Sequence, residues 1–124
     1  MSDGNPPLQD VFAFESARGV LVITPKVDLD SLQVDIERGL SDVLDEIHRS
    51  GMKHVLLDFT NAGYFGTTML GAMVRLWKRI SLEQGRMALC NVSEPVHEVL
   101  RFTKLSTLWP IYPNREEALA AIGE

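Results

Sequence analysis

The 124-residue sequence is poor in the residues that build chemistry. Its one cysteine, Cys90, cannot close a disulfide within the chain, which excludes a disulfide scaffold and fits a reducing compartment. Cys90 also sits in the apolar run from Met87 to Val92, where a thiol behaves as inert core. The three histidines, His48, His54 and His97, share no His-x-x-x-His spacing and no Cys-x-x-Cys pair exists, so the local ligand pairs of a metal site are missing. There is no Gly-x-Ser-x-Gly elbow. The adjacent carboxylates Glu116 and Glu117 belong to a helix's first turn, where the helix dipole accounts for them without catalysis. No run of 18 apolar residues is present, so no membrane-spanning helix is expected. The opening residues, Met1 to Pro7, lack the basic and apolar regions of a signal peptide. These absences point away from an enzyme, a metal, a cofactor and membrane insertion, and toward a cytoplasmic protein.

What is present is ordinary globular material. Hydrophobic residues make up 45% and charged residues 23% of the chain. Its length suits one domain, whose folded surface should be roughly 6,700 Å² against about 20,000 Å² for the unfolded chain. Twelve Lys and Arg against 17 Asp and Glu leave a net charge of −5, a poor basis for nucleic-acid binding, which needs clustered cations.

Residues 1–9 read as a flexible polar tail and residues 10–124 as the domain. Val11 to Glu15 and Val20 to Thr24 read as strands joined by an Arg18-Gly19 turn, an N-terminal hairpin that Pro25 should end. Asp30 or Ser31, with Gln33, can cap a first helix in which Ile36, Leu40, Val43, Leu44 and Ile47 recur at helical spacing. Asp35, Glu37, Arg38, Asp42 and Glu46 fall on its wet side, and Ser50-Gly51 ends it. His54 to Phe59 is a strand apolar enough to be buried on both faces. A second helix is expected from Thr68 to Gln84, a strand from Met87 to Val92, and a short helix capped by Ser93 through Phe102. A last strand, Leu108 to Tyr112, is weakened by Pro110, and Asn114 to Glu117 opens a final helix as a capping box. The pattern describes an α/β domain with a mixed sheet of four to five strands, an N-terminal hairpin and about four packing helices.

The informative stretch runs from Asp58 to Gly71. Gly66 and Gly71 have the spacing of a phosphate-binding loop, but Ala72 and Met73 stand where that motif needs Lys and then Ser or Thr, so the P-loop reading fails. Thr67 is placed to cap the second helix and Thr68 to open it. In projection Met69, Leu70, Ala72, Met73, Val74, Leu76, Trp77 and Ile80 fill an apolar arc of roughly 200°. Thr68 projects beside Arg75 and Arg79, so its hydroxyl should meet solvent at the positive end of the helix dipole. A phosphoryl group there would face backbone N–H groups. Gly71 leaves room for another surface, and Leu70 and Trp77 lie on the arc's edge, open to a partner. A plain pair of threonines at a helix start, and a buried apolar arc, remain the simpler alternatives.

At these residues the chain resembles a STAS domain, the module of anti-sigma factor antagonists and of sulfate-transporter tails. The family's central motif leads from an Asp at a strand end through a Phe to an Asp-Ser-Ser-Gly-Leu-Gly run. Asp58, Phe65, Leu70 and Gly71 fall on matching positions, and Thr67-Thr68 replace the Ser-Ser pair. Arg86 to Val92 followed by Val96, Val99 and Leu100, and Leu105 to Tyr112 followed by Glu116 to Leu119, resemble the family's later elements. The resemblance covers about residues 11–122.

It implies a single STAS-like domain that binds an anti-sigma factor or a histidine-kinase-like serine/threonine kinase. It also implies a phosphoacceptor at Thr68, with Thr67 as the alternative. The partner-binding residues expected are Gly66, Thr67, Thr68, Leu70, Gly71, Arg75 and Trp77. Two positions depart from the pattern: Gly66 replaces an Asp and Met69 a Gly. A constitutive, never phosphorylated binding subunit of a signalling or transport assembly is the second expectation. A phosphate- or nucleotide-binding module at the same helix start is the third. The sequence leaves the oligomeric state open.

Overall fold

The computed structural model describes residues 12–25, 36–62 and 66–124. The expected tail, the Asp30/Ser31 cap with Gln33 and Asp35, and Phe65 lie outside these residues, as do the side chains of Ile36 and Glu37.

The chain opens with a hairpin. β1 (Phe12–Ala17) and β2 (Val20–Pro25) pair antiparallel, with Ala17 opposite Val20. The two residues between them, Arg18 (φ 54°) and Gly19 (φ 79°), both hold positive φ, as the tightest hairpin turn requires. From there the chain alternates: α1 (Ile36–Ser50), β3 (His54–Asp58), α2 (Thr67–Leu82), β4 (Met87–Cys90), α3 (Glu94–Phe102), a 3₁₀ turn (Leu105–Thr107), β5 (Ile111–Tyr112) and α4 (Arg115–Ile122). The sheet order is β1-β2-β3-β4-β5, and every pair after the hairpin is parallel. The expected α/β class, mixed sheet and N-terminal hairpin are all observed.

The side-chain alternation of the central strands builds two cores. Leu21, Ile23, Val55, Leu57 and Leu89 join Val43 of α1, Met69, Met73 and Leu76 of α2, and Val96 and Leu100 of α3. Val20, Val22, Leu56, Ala88 and Cys90 point the other way, onto Ala118, Leu119 and Ile122 of α4. β3 is thus apolar on both faces because both are covered, as its sequence indicates. Each fully buried aliphatic side chain contributes about 1.5–3 kcal/mol.

Element ends shift from the sequence expectation for local reasons. α2 begins one residue early, at Thr67, and stops at Leu82. β4 stops at Cys90 because Asn91 takes a left-handed φ of 57°, which Asn tolerates better than most residues. β5 shrinks to two residues: Trp109 turns wholly inside, and Pro110 cannot donate to a ladder. α4 starts as expected, with the Asn114 side chain accepting from the Glu117 N–H at 2.9 Å.

Candidate functional site

Because the parallel strands alternate with helices that run back across the sheet, α2 starts at the carboxyl ends of the strands. Its cap is Gly66, extended at φ −102° and ψ −166°, and no side chain caps it. Thr67, expected as the cap, is instead the first helical residue and Thr68 the second. The helix turns one residue earlier, and the first helical bond runs from the Leu70 N–H to the Gly66 carbonyl at 3.2 Å. A glycine cap leaves the dipole's positive end without a side-chain oxygen, and no acidic residue stands in the first turn.

Thr67 and Thr68 are both exposed there. Gly71 is exposed too, and a Cβ added to it would meet nothing within 4 Å. Arg75 is exposed two turns on, about 20° from Thr68 in projection. Leu70 is half-buried and packs against the core. The structure thus brings Gly66, Thr67, Thr68, Gly71 and Arg75 onto one surface, with Leu70 at its margin. Trp77 stands apart. It lies about 180° around the helix from Thr68 and lines a separate hollow beside Arg86 and Met87, at the amino end of β4.

A buried ionic network lies at the same carboxyl end, on the α4 side. Asp58, the last residue of β3, is 2% exposed. Its Oδ1 accepts from the Thr60 N–H (3.0 Å), the Thr60 hydroxyl and Asn91 Nδ2 (2.9 Å). Its Oδ2 accepts from Arg115 Nε at 2.9 Å. Arg115 also reaches Glu15 Oε1 at 2.9 Å and Thr24 Oγ1 at 3.2 Å, so one guanidinium ties α4 to β1, β2 and β3. Burial pushes the Asp58 pKa up, but the hydrogen bonds from Thr60, Asn91 and Arg115 outweigh it and hold the carboxyl below its ordinary value. Burial and the neighbouring Asp58 charge push the Cys90 thiol up to about 12, which leaves it protonated and unreactive.

Sequence reasoning matched Asp58 to a motif but missed Arg115, Asn91 and Thr60 as its partners. One signal was available: Arg115 sits in the first turn of a helix, where the dipole disfavours a cation, so a carboxylate elsewhere must hold it. The histidines stay apart. His54 Nδ1 accepts from the Arg86 N–H (3.1 Å), His97 lies 3.0 Å from Arg101 Nη1, and His48 is exposed. Among the described residues no three His, Cys, Asp or Glu side chains gather as metal ligands, and no helix is long and apolar enough to cross a membrane.

A hairpin followed by parallel strands in sequence order, three helices on one face and one on the other, and an exposed threonine pair at a helix start define a small α/β domain whose accessible features are surfaces. The chain belongs to the STAS domain family, whose sequence profile matches residues 12–118. It is 32% identical over 108 residues to the anti-sigma F factor antagonist of Paenibacillus polymyxa, covering 87% of this chain and 91% of that protein. Its fold superposes with a TM-score of 0.76 on an anti-sigma-factor antagonist (STAS) domain protein from Planctomyces limnophilus, at 30% identity, over 90% of this chain and 97% of that one. It superposes with a TM-score of 0.68 on the Bacillus cell fate determinant SpoIIAA in its phosphorylated form. At 20% identity, over 90% of this chain and 98% of that one, this likeness is one of fold.

Proposed function

We propose that this chain is a cytoplasmic regulatory binding module that acts as an anti-sigma factor antagonist and is switched by phosphorylation of Thr68. It docks on an anti-sigma factor of histidine-kinase-like fold through Gly66, Thr67, Thr68, Gly71 and Arg75. The observation that carries this reading is an exposed threonine in the first turn of a helix that has neither a side-chain cap nor an acidic residue there. The relative named an anti-sigma F factor antagonist supplies the partner class, and the phosphorylated form of SpoIIAA supplies a precedent for modification in this fold.

The mechanism is local. A phosphate adds about −1.5 to −2 charges. At a helix start this charge is favourable for the helix itself, by about 0.3–1 kcal/mol. Placed against a docked surface, the same charge must be desolvated beside groups that fitted a neutral hydroxyl, which costs several kcal/mol. Gly71 keeps the approach open, so the added group is the main obstacle on that surface.

The test uses phosphopeptide mapping across residues 54–75 from native cells, with anti-sigma factor affinity measured for Thr68→Ala and Thr68→Glu. Phosphate on Thr68 and at least tenfold weaker binding by Thr68→Glu than by Thr68→Ala are expected. Equal affinities would overturn the switch, and phosphate on Thr67 would move it one residue back. A second reading, a constitutive binding subunit, is favoured by Gly66, which leaves no carboxylate beside the threonines. It is the outcome if no phosphate is found.

A further inference from the structure

Among the described residues the β4–β5 ladder stops short of the start of β4. β5 pairs with β4 only from Leu89 onward: the Leu89 N–H donates to the Pro110 carbonyl at 2.9 Å and the Asn91 N–H to the Tyr112 carbonyl at 3.3 Å. Strand alternation turns the N–H and C=O of Met87 toward that same edge, one step lower. The residue that would donate to the Met87 carbonyl is Pro110, which has no N–H. Among the described residues the Met87 N–H and C=O therefore have no partner on this edge. Backbone groups left so are met only by solvent in the hollow and are available to an occupant that pairs them.

That edge opens into a hollow of about 280 Å³ walled by Trp77, Leu108, Pro110 and Ile122, with Arg86 beside it. The volume is near the lower end for a small-ligand site. Leu108 is 38% exposed and Trp77 half-buried, so these two supply accessible apolar surface within a lining that is otherwise more polar than apolar. Arg86 is exposed, and its guanidinium has no hydrogen bond or ion pair among the described residues. A donor, an acceptor and a cation thus converge on one hollow of mixed lining, in a chain that carries −5 overall.

The hollow admits little backbone. Above it the ladder is occupied by β5. Below it Gly85 offers no donor to an incoming strand, because its N–H donates to the Ile80 carbonyl at 2.9 Å. A strand passing through would find one residue of edge and no free donor at Gly85, whereas a chain end needs only that one residue.

We propose that this hollow receives the C-terminal residue of an extended peptide from a protein partner. The peptide N–H donates to the Met87 carbonyl, a terminal carboxylate oxygen accepts from the Met87 N–H, Arg86 pairs with the carboxylate, and an aliphatic side chain lies against Trp77 and Leu108. This is strand addition confined to a chain end. The hollow lies at the amino end of β4, away from Thr68, and the inference does not depend on the phosphorylation switch.

The test is an NMR titration of the full ¹⁵N-labelled chain with an N-acetylated tetrapeptide ending in leucine, as free acid and as carboxamide, with adenosine as a third probe. The free acid is expected to shift the Met87 amide and the Trp77 indole N–H saturably, and the carboxamide to bind at least tenfold more weakly. Arg86→Gln, a surface change, should weaken the free acid at least tenfold. Pro110→Ala supplies the missing N–H and should close the edge and abolish binding; should that variant not fold, Arg86→Gln decides alone. Absence of Met87 shifts at millimolar peptide, equal binding of acid and carboxamide, or an unchanged Arg86→Gln variant overturns the proposal. Shifts caused by adenosine and not by the peptide would overturn it in favour of a base-binding hollow.

Discussion

Asp58 is a carboxylate with almost no access to water, and it stays ionised because four donor contacts replace hydration. Breaking such a pair from one side leaves an uncompensated charge, so Arg115→Ala should lower the unfolding free energy by about 3 kcal/mol in urea denaturation. The pH dependence has a definite sign. The folded Asp58 pKa lies below the unfolded value, so its stabilisation is complete above about pH 4 and is lost as pH falls through the folded value. Asp58→Asn should therefore be the less stable protein at pH 7 and should lose less stability than the parent on acidification, as read from stability measured between pH 7 and pH 2. The sequence contains Asp58 and Arg115 but not their meeting, because 57 residues separate them and pairing is a property of the closed sheet. The exposure of Thr68 was legible: a helical projection needs only the 100° step, and the residue is exposed as projected.

At the scale of the elements, α2 combines a buried face built for the core with an outer face that spends stability. Gly71 is in the helix interior, exposed, with open space where a side chain would stand. Glycine costs a helix about 0.5–1 kcal/mol relative to alanine. Gly71→Ala should therefore raise the unfolding free energy by that amount and, under the proposed docking mode, weaken affinity for an anti-sigma factor. Opposite signs in the two measurements are the expected signature; a gain in stability with unchanged affinity would remove Gly71 from the docking surface. The periodic elements were read well from sequence because one face of each is covered, and covering imposes a pattern. Their ends were read less well. Thr67 looked like a cap because its side chain can cap, yet capping is decided by where the backbone turns, and here it turns at Gly66. β5 shows the reverse case: Pro110 announced a weak strand, and the strand is two residues long.

Seen whole, the molecule is one sheet between two unequal layers, with Val22 and Val96 in cores on opposite sides of it. Truncating either to alanine removes about two buried methylene equivalents and leaves a small cavity, for a loss of about 2 kcal/mol. Because the sheet separates them, the double variant should lose the sum to within about 0.5 kcal/mol in urea denaturation. A larger discrepancy would mean that the two layers repack together. The sheet's order along its width, β1 to β5, is also its order along the chain. A ribosome therefore delivers each strand after β1 beside an edge already made. Arg115 is the exception, emerging 57 residues after the acid it neutralises. At about 5–20 residues per second of synthesis, the nascent chain carries Asp58 without its cation for roughly 3–11 s. During that interval the sheet face that α4 will cover keeps an unmatched negative charge, which is matched only when α4 arrives to seal it.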